Sequence, residues 1–111
     1  VEYLELLDAT INIRKEADEI TRNYDALIMP TVPTIAPILD HLEKSDTAYH
    51  DNNLLMLRNC SFGNFLDRCA ISLPIHQLGE APVGMMVMGN TGEDEKLLEV
   101  ANSIERVVLK V

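Results

Sequence analysis

The spacing of apolar residues along this chain switches between a helical and a strand rhythm. Leu6, Ile13, Ala17, Ile20 and Tyr24 fall on one helical stripe, which predicts a helix over Val1–Asn23. A second apolar set, Leu4, Leu7 and Ile11, lies well round from that stripe at about 100° per residue. The early turns are therefore expected to be covered on two sides, by another element or by a partner. Asp25–Met29 reads as a short buried strand stopped by Pro30. Helical spacing returns over Asn53–Leu66, where Leu55, Phe62 and Leu66 share a face and Gly63 marks close packing or a kink.

Two nearly continuous apolar runs follow, Cys69–Ile75 and Val83–Met88. The link between them, His76–Pro82, is short enough for an antiparallel hairpin. Gly84 inside the second run predicts close approach by neighbouring backbone, and Met85, Met86 and Met88 read as core filling. Thr91, with an acid three residues on, resembles a capping box opening a last helix with the stripe Leu97, Ala101, Ile104, Val108 and Val111. The predicted order is helix, strand, helix, strand, strand, helix. That is an α/β class, with a short mixed sheet of about three strands covered by about three helices in a three-layer α/β/α arrangement.

Two stretches break the rhythm. Pro30, Pro33 and Pro37 exclude helix and central strand, so this segment is a stiff extended loop. Ligands in α/β sheets sit just past the carboxyl ends of strands, so a rigid loop there carrying Thr31 and Thr34 is a candidate pocket wall. A plain surface connection is the other reading. His41–Asp51 is polar, and residues 41–52 are expected to form a flexible insertion. His41, Asp46, His50 and Asp51 match no tight ligand spacing, so no metal is expected there.

Composition narrows the function. The chain has 111 residues, one domain's worth or less, and 47% of them are hydrophobic, enough for a real core. Aromatic residues are 5% and there is no Trp, so that core must come from Leu, Ile, Val, Met and Ala. Nine Lys and Arg against 18 Asp and Glu give a net charge of −9, a field that repels phosphate backbones and anionic lipid surfaces. Neither a nucleic acid nor a membrane is an expected partner. Cys60 and Cys69, without CxxC spacing, read as reduced thiols of a cytoplasmic protein. No apolar run approaches the ~20 residues needed to span a bilayer. Val1 already lies inside a helical pattern, as in a piece of a longer protein.

No free-standing catalytic constellation stands out. GxSxG, HExxH, Walker and GxGxxG motifs are missing, and no Ser has a Lys three residues on. Cys60 or Cys69 with His76 is the one nucleophile–base pairing to weigh, and Cys69 opens a buried strand where thiols are usually inert. Asn59, Ser61 and Asn64 are polar groups in an apolar helix, either satisfied structurally or lining a cavity.

Four stretches together resemble the amidase signature family. Tyr24–Pro33 resembles its "YDALLxPTxP" stretch, Asn64–Pro74 its "NLLGLPALSLP", Ala81–Gly89 its "LPVGLQLVG", and Glu93–Leu98 with Ile104 and Glu105 its "DExxLLxxAxxxE". Order and spacing agree over most of residues 24 to 105. The resemblance implies that residues 1–111 are the carboxy-terminal portion of an amidase domain. It implies hydrolysis of carbon–nitrogen amide bonds by a Ser–cis-Ser–Lys triad lying upstream, with no cofactor and with no catalytic residue among Ser45, Ser61, Ser72 or Ser103. It also implies that the loop after the first strand and the Arg58–Asn64 helix border the acyl side of the pocket. Substrate-pocket candidates are Thr31, Val32, Pro33, Arg58, Asn59, Phe62 and Asn64. The implied partners are the remainder of the amidase domain and a small-molecule amide, and a homo-oligomer is expected.

Two departures refine this. Asp67-Arg68-Cys69 replaces the Gly-Leu-Pro of many members and resembles a variant of allophanate-hydrolase-like members, which implies a ureido or small amide substrate. Leu57 stands where the amidase-type subunits of amidotransferases carry an acidic substrate-binding residue, which argues against transamidation. The contrasting reading is a non-catalytic α/β interaction or dimerisation domain.

Overall fold

The computed structural model describes residues 1–108, so Val111 of the last predicted stripe lies outside the described residues. Five helices and three strands follow one another: α1 Glu2–Thr21, β1 Leu27–Pro30, α2 Leu39–Glu43, α3 Asp46–Leu57, α4 Cys60–Leu66, β2 Ala70–Pro74, β3 Gly84–Met88 and α5 Asp94–Val108. None of the described helices is long and apolar enough to cross a membrane.

The predicted hairpin forms, and β3 becomes the central strand of a sheet ordered β1-β3-β2. Its register pairs Leu27 and Ala70 with Met88, and Pro30 with Met85. Both pairings are antiparallel, so the described sheet is antiparallel rather than mixed. β1 and β2 do point the same way, but β3 inserts between them and no parallel pair forms. Their carboxyl ends, Pro30 and Pro74, consequently lie at the same rim of the sheet, opposite Met85 and Gly84 of β3.

Side-chain alternation gives the sheet two faces. Ile71, Leu73, Met85 and Val87 face α5, where Leu73, Val87, Leu97 and Ala101 make the buried core with Val100 and Ile104 packed on it. Ala70, Ser72, Met86 and Met88 face α4, and so do Leu27 and Met29. Gly63 is buried in α4, and a Cβ there would come within 3.4 Å of Met88 Cε, the close packing its sequence position implies. The result is the expected layering of helix, sheet and helix.

Several local expectations change. Residues 41–52 hold the end of α2 and the first part of α3, and Ser45 caps α3 by accepting from the Ala48 N–H at 3.2 Å. The Asn53–Leu66 helix is broken at Arg58–Asn59 and not at Gly63. Thr91 does not cap α5; its hydroxyl donates to the Asp67 carbonyl at 2.6 Å, and α5 begins three residues later.

The largest correction concerns α1. Its predicted stripe is not buried by the rest of the described chain, and Leu6 and Ile20 are 66% and 74% exposed. The helix docks instead through a polar edge. Arg14 Nε donates to the Phe65 carbonyl at 2.8 Å, and Asp18 and Thr21 accept from Arg68. Residues 14, 18 and 21 share one helical edge at i, i+4 and i+7, so a polar edge makes the contact and the apolar positions remain outside.

Candidate functional site

The segment leaving β1 is held by polar contacts on several sides. Pro30 falls on a non-hydrogen-bonded position of the edge strand β1, where a missing N–H costs the ladder nothing, and the next residue extends the pairing through the Thr31 N–H, which donates to the Gly84 carbonyl at 2.9 Å. The Thr31 and Ser72 hydroxyls then bond across the top of Gly84 at 2.5 Å. From the α4 side, the buried Asn59 donates its amide Nδ2 to the Pro30 carbonyl at 2.8 Å and accepts from Arg58 Nε at 3.3 Å. The Cys60 thiol faces the Thr31 carbonyl at 3.7 Å.

Gly84 is essential to this arrangement. A Cβ at that position would stand 2.5 Å from Ser72 Oγ and 2.8 Å from Thr31 Oγ1, closer than side-chain carbons tolerate. The sequence points to a close approach at Gly84, but by backbone; what approaches it is a pair of hydroxyl side chains.

Six of the seven predicted pocket residues distribute over three depressions. Thr31 and Asn64 line a cleft of about 340 Å³ together with Cys60, Ser72 and Met86. Val32 and Pro33 line a second cleft of about 210 Å³, closed by Pro82, Val83 and Gly84. Arg58 and Phe62 line a shallow apolar groove of about 590 Å³ with Leu54, Leu57, Ser61 and Phe65. Asn59 lines none of these and acts from behind, as the tie between α4 and the loop. Leu57, the residue at the departure from the amidotransferase pattern, sits in the apolar groove.

Ser72 and Cys60 were not among the predicted residues. The available signal for Ser72 is a lone hydroxyl in the apolar run Ala70–Pro74, at a position sharing the face of Met86. For Cys60 it is helical spacing from Asn64, i to i+4.

Other candidate chemistry separates in space. Cys69 precedes β2 and His76 follows it, so the two lie at opposite ends of that strand. The Cys69 thiol donates to the Asn90 carbonyl at 3.0 Å, while His76 Nδ1 accepts from the Val83 N–H at 3.2 Å and closes the hairpin end. Both cysteines are free thiols. Among the described residues no three or more His, Cys, Asp or Glu side chains come together as a metal-ligand group.

The departure Asp67-Arg68-Cys69 has a local physical basis. α4 ends with Asp67 in the left-handed region at φ 57, and the Arg68 N–H reaches back to the Gly63 carbonyl at 3.0 Å. This is the helix-ending geometry glycine usually serves. Here an aspartate serves it, with Arg14 at 3.8 Å from its carboxylate.

The Amidase family model matches residues 1–98. A glutamyl-tRNA(Gln) amidotransferase subunit from Saccharolobus solfataricus is 28% identical over 109 residues, covering 98% of this chain and 22% of that protein. The 2-amino-5-chloromuconic acid deaminase of Comamonas testosteroni is 28% identical over 109 residues, covering 97% of this chain and 23% of that relative. The chain thus spans about a fifth of the length of these curated relatives. No solved structure matches it at a significant level. With the family model covering nearly the whole of the described chain, and the PTVP, AISLP and APVG stretches meeting at one rim of the sheet, the chain belongs to the Amidase family.

Proposed function

We propose that this chain is the substrate-side scaffold of a cytoplasmic amidase that hydrolyses carbon–nitrogen amide bonds in small molecules. The observation that carries the proposal is the Amidase match over residues 1–98 in a chain spanning about a fifth of its relatives. In this reading the Ser–cis-Ser–Lys triad lies outside these residues. The chain supplies sheet strands, the Pro30–Thr34 loop and the α4 face that border the acyl side of the pocket. Leu57, standing where the amidotransferase pattern has an acidic residue, supports hydrolysis of an amide over amide transfer, because an aliphatic side chain offers no carboxylate to a substrate amine.

The discriminating experiment is to translate the gene upstream of Val1. A Gly-Ser-Ser-Gly-Gly-like run preceded by a Lys is the expected result, and a start codon at the boundary sinks the proposal. Purified residues 1–111 are expected to release no ammonia from amides. The contrasting reading, a non-catalytic interaction domain, draws on the uncovered apolar positions of α1. It predicts a stable independent product of the gene, which the same upstream sequence decides.

A further inference from the structure

The rim where β1 and β2 end carries a feature that amide hydrolysis does not itself require. Three separate stretches each contribute one small residue to a single point: Thr31 from the proline-rich loop, Ser72 from β2 and Gly84 from β3. The hydroxyls of Thr31 and Ser72 are bonded to each other, and both occupy the space where a Cβ of residue 84 would be. The residues flanking Thr31 line one cleft, while Thr31 and Ser72 themselves line the other. The pair therefore sits between the two clefts, and where it sits decides the position of the loop that walls both.

We propose that the Thr31–Ser72 hydroxyl pair, seated on the bare backbone of Gly84, is a latch that holds the Pro30–Thr34 wall in place. Thr31, Ser72 and Gly84 are then positioning residues for acyl recognition; this last step rests on the amidase reading above. The loop needs such a latch. Beyond β1 the ladder to β3 continues through a single backbone donor, the Thr31 N–H to the Gly84 carbonyl. Asn59 restrains the Pro30 carbonyl from the helix side, and the hydroxyl pair restrains the next residue from the sheet side. With either tie cut, the wall keeps its stiffness but loses its fixed place.

The test uses the full-length protein and four variants: Thr31→Val, Thr31→Ser, Ser72→Ala and the Thr31→Val/Ser72→Ala double. Hydrogen–deuterium exchange is followed in peptides covering residues 27–36, and KM and kcat are measured on linear aliphatic amides from propionamide to hexanamide. Thr31→Val and Ser72→Ala should each speed exchange in that segment about fivefold, the double variant should add nothing further, and Thr31→Ser should behave as wild type. The same two single variants should raise KM for hexanamide about fivefold with kcat within about twofold, and Thr31→Ser should restore it. Unchanged exchange in Thr31→Val, or independent additive effects in the double variant, overturns the latch. Faster exchange with an unchanged KM overturns the positioning role. If wild type hydrolyses none of these amides, the amidase reading falls, and exchange alone decides the latch.

Discussion

Arg68 and Asp18 are joined across fifty residues of sequence by a bond of 2.8 Å, and they meet it from opposite environments: the Arg68 side chain is 1% exposed and that of Asp18 is 56%. The same nitrogen reaches Thr21 Oγ1 at 2.7 Å, and Arg68 Nε has no partner among the described residues. The buried member depends on the pair far more than the exposed one does. Asp18→Ala should therefore lower stability by about 1–2 kcal/mol, less than for a fully buried pair because water reaches Asp18. Arg68→Met, which removes the buried charge together with its orphaned donor, should cost less than Asp18→Ala. Urea denaturation of the full-length variants checks the order, and a larger loss for Arg68→Met contradicts it.

Asp67 is the non-glycine residue of the described chain that adopts a positive φ. Its carboxylate is 66% exposed and meets Arg14 only at 3.8 Å, so the ion pair returns little. Asp67→Gly should raise stability by about 0.5–1 kcal/mol by relieving the left-handed backbone. Asp67→Ala should lower it. A melting temperature that falls for the glycine variant would show that the Arg14 contact outweighs the backbone term.

At Gly84 the conflict is steric. A methyl group there meets Ser72 Oγ at 2.5 Å and Thr31 Oγ1 at 2.8 Å. Gly84→Ala should destabilise by about 1–3 kcal/mol, because the two hydroxyls have to be displaced and their bond broken. Adding Ser72→Ala to it removes the nearer atom and should recover part of that loss, even though Ser72→Ala alone is destabilising. Thermal melts of the two single variants and the double give the sign of the coupling, and strict additivity argues against the contact.

What the sequence makes legible here follows from where each residue's partner lies. The hairpin and α5 are readable because their apolar periods match the faces they bury, Leu73 and Val87 against Leu97 and Ala101. Thr31 and Asn64 are readable as cleft residues, since a proline-rich exit and an interrupted apolar helix are both local signals. α1 is misread because its apolar stripe suggests the docking edge, whereas Arg14, Asp18 and Thr21 make the contact with groups more than forty residues away. Ser72 is missed for the same reason: its significance comes from Thr31 and Gly84, each distant in sequence, and no local spacing encodes a three-way meeting. At the Arg58–Asn59 break Asn59 is tied to the distant Pro30 carbonyl, and Gly63, the locally weak helix former, lies within α4 beside Met88.

The apolar groove of α3 and α4 separates a free-standing chain from one packed within a larger domain. Leu54, Leu57 and Phe62 are each more than half exposed, and Phe65 is 46% exposed. Together with Leu4, Leu6 and Leu7 of α1 they are more apolar surface than a protein of this size usually leaves to water. If the remainder of an amidase domain covers the groove, Leu57→Ser and Phe62→Ser should each destabilise the full-length protein by about 2 kcal/mol or more, since they remove buried apolar area. On a water-facing helix the same changes would fall within about 0.5 kcal/mol. Residues 1–111 alone should respond in the opposite sense. They should self-associate in sedimentation or light scattering despite a net charge of −9, and the double Leu57→Ser/Phe62→Ser variant should weaken that association because it removes the sticky surface. A full-length protein indifferent to both substitutions, together with a chain that stays monomeric at high concentration, places the groove in water and removes the reason for a covering domain there.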